Sequence, residues 1–153
     1  MLAPPPPTTW HIALPRGATA VPVARAMVRC AMQDLRATAD RTTAQLLAAE
    51  LVANALKHAG DAEPVELVVE LGAGGCRVEV HDGDGRHLDG LGAPPPAPPA
   101  LPPPGGGTAA PFRARGRGLL LVRSLSSASG CRPTPRGKAV WFTLPELRRH
   151  RER

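Results

Sequence analysis

Aromatic residues are almost missing from this chain: two Phe, two Trp and no Tyr among 153 residues. Proteins that hold single-stranded nucleic acid stack successive bases on aromatic rings, and no such platform can be assembled here. Lysine is nearly as scarce. Only Lys57 and Lys138 occur, so 17 of the 19 basic residues are arginine. A formal net charge of +6 and a pI near 10.5 would otherwise invite a nucleic-acid partner. Residues 148–153 carry four Arg against one Glu, however, so half of that surplus sits in a basic tail expected to fray. Direct nucleic-acid binding is not expected.

Cysteine is sparse too. Cys30, Cys76 and Cys131 are odd in number and scattered, with no C-x-x-C pair, which fits small core thiols of a reducing compartment rather than disulfides or zinc ligands. No apolar run approaches the roughly 20 residues needed to span a bilayer. The opening Met1-Leu2-Ala3, followed by Pro4 to Pro7, lacks the pattern of a signal peptide. A cytoplasmic protein with no membrane contact is expected, built as one domain with a workable core.

Proline and glycine are abundant, at 19 and 16 residues, and they divide the chain. Residues 1–9 form a Pro-rich lead expected to be disordered, and residues 10–147 the domain. His11 to Leu14 predicts a short edge strand, ended by Pro15 and Gly17. A first helix is predicted from Val21 to Ala37, with Pro22 tolerated in its opening turn. Asp40 can cap a second helix that stops at Gly60. Val65 to Leu71 predicts a strand with odd positions inward, and Gly72 to Gly75 turns it into a second strand, Cys76 to Asp82, as an antiparallel hairpin.

The proline and glycine run from Ala93 to Gly107 can make neither helix nor central strand, so residues 86–115 are a long loop, either functional or a mere linker. A third helix is predicted from Arg117 to Ser127 and a last strand from Lys138 to Leu144, with Val140, Phe142 and Leu144 on one face. Helices covering one apolar face of a sheet give a two-layer α/β sandwich, its sheet expected to be mixed but mostly antiparallel.

Three segments carry chemistry. At about 100° per residue, Glu50, Asn54 and Lys57 fall within a sector of roughly 60° on the second helix, opposite a face of Leu, Val and Ala. A carboxamide oxygen suits a hard cation, a carboxylate can take a proton, and an ammonium can meet phosphate. An ordinary solvated stripe would look the same. Asp82 continues the inward parity of Cys76, Val78 and Val80, which is costly without a partner, although an Asp that merely caps the turn at Gly83 to Gly85 is the plainer reading. Gly116 and Gly118 open an apolar helix whose N–H groups can approach phosphate oxygens, with Arg115 and Arg117 alongside.

In this order, residues 50–59 (ELVANALKHA), 78–82 (VEVHD) and 116–122 (GRGLLLV) resemble the N, G1 and G2 boxes of the GHKL (Bergerat-fold) ATP-binding superfamily, and most closely those of its anti-sigma factor serine/threonine kinases from bacteria. Residues 137–142 (GKAVWF) resemble that family's final strand, so the likeness runs from about Leu14 to Leu147. Two departures stand out. The family's G1 box continues Asp-x-Gly-x-Gly, whereas residues 82–86 read DGDGR, and Lys138 and Ala139 stand where the family often carries Thr after a Gly.

The resemblance implies ATP and Mg²⁺ as cofactors. It implies that Asp82 accepts a hydrogen bond from the adenine amino group and that Asn54 coordinates Mg²⁺. Gly116 and Gly118 would present N–H groups to the phosphates, Lys57, Arg115 and Arg117 would neutralise charge, and residues 86–115 would form the lid. Glu50 would take the proton from a serine or threonine hydroxyl on a partner. The implied partners are an anti-anti-sigma (STAS-type) protein and a sigma factor, with a homodimer through the strand near His11 as a further expectation. Two other outcomes stay open: a nucleotide-dependent binding module that transfers no phosphate, and an interaction protein with a degenerate nucleotide site.

Overall fold

The computed structural model describes residues 8–59, 64–84 and 119–147, without the side chains of residues 58 and 59. The elements are β1 (Thr9–Ala13), a 3-10 turn (Gly17–Thr19), α1 (Ala20–Leu35), α2 (Arg41–Ala59), β2 (Glu66–Gly72) and β3 (Gly75–Asp82), then helical residues 119–125, β4 (Ala128–Pro133) and β5 (Lys138–Leu144). The five strands make one open sheet in the order β1-β2-β3-β5-β4. All four ladders among the described residues are antiparallel, so the mixed component of the expectation is absent there.

The core follows from period. In α1, Ala20, Ala24, Val28, Ala31, Met32 and Leu35 are buried, and in α2, Ala44, Leu47, Ala48, Leu51, Val52 and Ala55. Both sets recur at three- and four-residue spacing, which puts each on one helix face. α1 and α2 pack on each other, α1 on β1 and β2, and α2 on β3 and β5. The sheet meets them with alternate residues: Val69, Val78 and Phe142 are aligned across three strands, as are Leu67, Val80 and Val140. Phe142 is fully buried, and deleting such a ring typically costs about 3–5 kcal/mol.

Helix ends obey local chemistry. Arg36 ends α1 in the left-handed conformation at φ 60°, its N–H returning to the carbonyls of Gln33 and Met32. Pro22 sits in the first turn of α1, where no hydrogen bond is lost. The carbonyl of Asp40 accepts the N–H of Ala44, and its carboxylate takes the Thr43 hydroxyl rather than a helix N–H. Among the described residues no helix is long and apolar enough to cross a membrane.

Four elements differ from expectation, the first being α1, which ends at Leu35 rather than Ala37. β1 begins at Thr9, inside the predicted lead, because the carbonyl of Thr8 accepts the Leu71 N–H at 2.8 Å and extends pairing along β2. The third helix ends at residue 125, two residues early. β4 was not expected from its sequence, ASGCRP. It pairs with β5 from Ala128 opposite Thr143 to Pro133 opposite Lys138, and Pro133 is tolerated on this edge strand. Gly130 makes room there for Trp141 on β5, since a Cβ would lie 2.7 Å from its ring.

Candidate functional site

Asp82 and Lys138 face each other where β3 and β5 meet the edge of the core. The parity that buries Val78 and Val80 also turns Asp82 inward, and the parity of Val140 and Phe142 does the same for Lys138. Their side chains are 1% and 3% exposed. Lys138 Nζ donates to Asp82 Oδ1 at 3.0 Å and to the carbonyl of Asp84 at 3.0 Å. The Asp84 N–H also donates to Asp82 Oδ1, at 2.8 Å. Oδ1 thus has two donors, while Oδ2 is buried with no hydrogen-bond partner. Leaving such an acceptor unsatisfied costs about 1–3 kcal/mol. Gly137, just before Lys138, lets the β4–β5 turn close against this strand end, since a Cβ there would lie 2.2 Å from the carbonyl oxygen of Asp82.

The expected helix residues sit on α2, which packs on the strands ending in Asp82 and Lys138. Glu50 and Asn54 are half-buried and Lys57 is exposed, beside the buried Leu51 and Ala55. No hydrogen bond or ion pair joins Glu50, Asn54 or Lys57 to the Asp82 and Lys138 pair. Arg115, Gly116, Arg117 and Gly118, the lid (residues 86–115) and the tail (residues 148–153) lie outside the described residues.

A cleft of about 610 Å³ opens at this end of the sheet, lined by Asp82 and Gly83 together with Glu66, His81, Arg132, Thr134 and Arg136. His81 and Arg132 belong to the sheet face away from the helices, where Glu79 is buried among cations. It accepts from His81 Nε2 at 2.8 Å, Arg132 Nη2 at 2.8 Å and Arg77 Nε at 2.9 Å. Burial alone would push the Glu79 carboxyl up, but the His81 hydrogen bond and the charges of Arg132 and Arg77 outweigh it and hold the carboxyl below its ordinary range. Arg77 also lies 4.1 Å over the Trp141 ring.

Lys138 is the residue that sequence reasoning left out of the site. It was visible as a lone ammonium at an inward position of an otherwise apolar strand, the same pattern that singled out Asp82. Among the described residues no three His, Cys, Asp or Glu side chains gather as a metal cage. Residues 14–144 match the histidine kinase-like ATPase domain family. No curated protein matches the chain.

Proposed function

The chain belongs to the histidine kinase-like ATPase domain family, and from that premise we propose that it is an ATP-binding regulator of the anti-sigma factor type, a serine/threonine protein kinase acting on an anti-anti-sigma partner. The observation that carries the nucleotide site is the unpartnered, buried Oδ2 of Asp82. An adenine amino group is a neutral donor of the kind that removes its desolvation cost.

The other roles follow from residue chemistry. Asn54 offers one carboxamide oxygen, which fits Mg²⁺, a cation that keeps several waters and takes its remaining ligands from substrate phosphates. Glu50, one helical turn before it, accepts the proton of a serine or threonine hydroxyl. Lys57, Arg115 and Arg117 supply positive charge, and Gly116 and Gly118 leave backbone N–H groups open to phosphate oxygens. When bound, ATP supplies the transferable γ-phosphoryl group, whose transfer needs mainly positioning and charge neutralisation. The partner is a STAS-type anti-anti-sigma protein, and the regulated protein a sigma factor. This reading is supported by the order of the three motif segments within the matched residues.

Calorimetry of ATP binding, with and without Mg²⁺, on wild type and Asn54→Ala tests the site. Saturable Mg²⁺-dependent binding that the substitution weakens supports it, and no binding to folded protein at millimolar ATP overturns it. Mass spectrometry of a STAS-type partner incubated with ATP then tests transfer. Glu50→Ala should abolish the phosphorylated species while leaving ATP affinity within about twofold. Undiminished transfer by that variant would remove Glu50 as the base, and no transfer by wild type would leave nucleotide-dependent partner binding as the function.

A further inference from the structure

We propose that the β4–β5 turn carries a second ligand site, on the open face of the sheet, where Arg132, Thr134 and Arg136 hold the phosphate group of a small phosphomonoester. The site is independent of the ATP reading and uses none of the residues placed in it.

Register gathers these groups. Glu66 stands opposite His81, His81 opposite Ala139, and Ala139 opposite Arg132, so one row crosses β2, β3, β5 and β4 on the face away from the helices. Glu66, His81 and Arg132 of this row line the cleft, and Thr134 and Arg136 join them from the turn. Three hydrogen bonds hold that turn. The Thr134 N–H donates to the Gly137 carbonyl at 3.0 Å, and the Gly137 N–H meets the Thr134 carbonyl at 3.2 Å and its hydroxyl oxygen at 3.0 Å. Pro133 and Pro135 fix φ on either side of Thr134. The hydroxyl is used as an acceptor there, so its own proton remains for a ligand.

Donors outnumber acceptors at this end of the cleft. Arg132 spends one contact, from Nη2 to Glu79 Oε1, and its side chain is 47% exposed, so most of its five N–H groups stay available. Glu79 is shared with Arg77 and His81 and cannot neutralise a further cation. Arg136 is exposed and makes no hydrogen bond or ion pair among the described residues. The two acids of the lining do not cancel these charges. The Asp82 side chain is 1% exposed and already paired with Lys138. Glu66 lies three strand spacings from Arg132, roughly 14 Å. A carboxylate has only two oxygens to offer two guanidinium forks and a hydroxyl, whereas a phosphomonoester brings three and up to two charges. The cleft also has the size of a small-molecule site rather than of a lone anion. The organic part of the ester therefore extends toward His81 and Glu66, where the carboxylate accepts from a hydroxyl or amino group.

The test titrates inorganic phosphate, and separately acetate, into the full-length 15N-labelled protein at constant ionic strength and follows its amide shifts by NMR. Saturable shifts centred on Arg132, Thr134, Arg136 and Gly137 are expected, with a phosphate Kd of about 1 mM and acetate roughly tenfold weaker. Arg136→Gln should weaken phosphate about tenfold and Arg136→Lys less, and neither should change the affinity for ATP. Acetate bound as tightly as phosphate overturns the phosphomonoester class. Shifts centred on α2 or on residues 116–122 place the anion in the ATP site and overturn the second site. So does a lack of saturation at about 50 mM phosphate, or undiminished binding by Arg136→Gln. Phosphate bound at the turn by a protein that does not bind ATP removes the ATP reading and leaves this site standing.

Discussion

Glu146 holds Thr38 across the molecule: its Oε1 accepts the Thr38 backbone N–H at 2.8 Å and the Thr38 hydroxyl at 3.1 Å. Its Oε2 accepts the N–H of Ala39 at 3.1 Å. One carboxylate just past β5 thus satisfies two amides in the connection between α1 and α2, fixing the helical layer to the end of the sheet.

Removing that clasp should be measurable. Glu146→Ala leaves two amides without their acceptor and should cost about 1–3 kcal/mol, read as a lower urea midpoint at unchanged slope. An unchanged midpoint would mean that water replaces the carboxylate at no loss.

Two glycines should differ in what they tolerate. Gly75 has φ 123°, and a Cβ there would lie 2.2 Å from the Leu144 carbonyl oxygen, which is backbone and cannot swing away. Gly75→Ala should cost about 3 kcal/mol or more. Gly130→Ala meets only the side chain of Trp141, at 2.7 Å, and should cost about 1–3 kcal/mol. Thermal unfolding that ranks them the other way would contradict the packing described.

The Asp82 and Lys138 pair should behave as one unit in stability. Asp82→Leu or Lys138→Met alone strands a buried charge and should cost about 3–5 kcal/mol, whereas the double substitution should cost far less than the sum. Additive urea midpoints would show that the two charges do not depend on each other.

Acid should weaken the cluster on the open face of the sheet. The folded-state pKa of Glu79 is held below its ordinary value of 4.5, so the stability it contributes is fully present above that value and is lost as pH falls through the folded-state pKa. The stability gap between wild type and Glu79→Gln should therefore be flat above about pH 5.5 and narrow on further acidification. A gap that widens toward acid would reverse the sign and refute the assignment to Arg132, Arg77 and His81.

The thiols should separate by reactivity. Burial, with the charge of Glu146 adding to it, pushes the Cys76 thiol up to about 12, while Cys30 and Cys131 are only partly buried. Iodoacetamide at pH 8 should alkylate Cys30 and Cys131 in the native protein and reach Cys76 only on unfolding. Peptide mapping that finds Cys76 modified first would show that this part of the core opens readily.

Much of the fold was legible because period and punctuation agreed. The inward row Cys76, Val78, Val80 and Asp82 alternates cleanly, and the Gly72 to Gly75 turn fixes its hairpin. β4 was illegible because it forms for its partner's sake: ASGCRP has little strand propensity, and its Gly makes room for a ring on the neighbouring strand. Asp82 was legible as a buried acid, but its pairing with Lys138 depends on which strands become neighbours, which parity alone does not give. Glu79 was unreadable for a similar reason. Its position alternates with the core row, yet Arg132 from β4 comes across 53 residues of sequence to cover it.

β5 is last among the strands in the sequence yet lies between β3 and β4 in the sheet. During synthesis, β1, β2 and β3 can pair early, but the free edge of β3 must wait until Leu144 has left the ribosome. Until then Asp82 has no Lys138, Glu79 has no Trp141 opposite it, and α2 lacks part of the surface on which it packs. The nascent chain therefore carries an open strand edge for as long as the intervening residues take to emerge. Its vulnerability to aggregation is set by the pace of translation through residues 83–144.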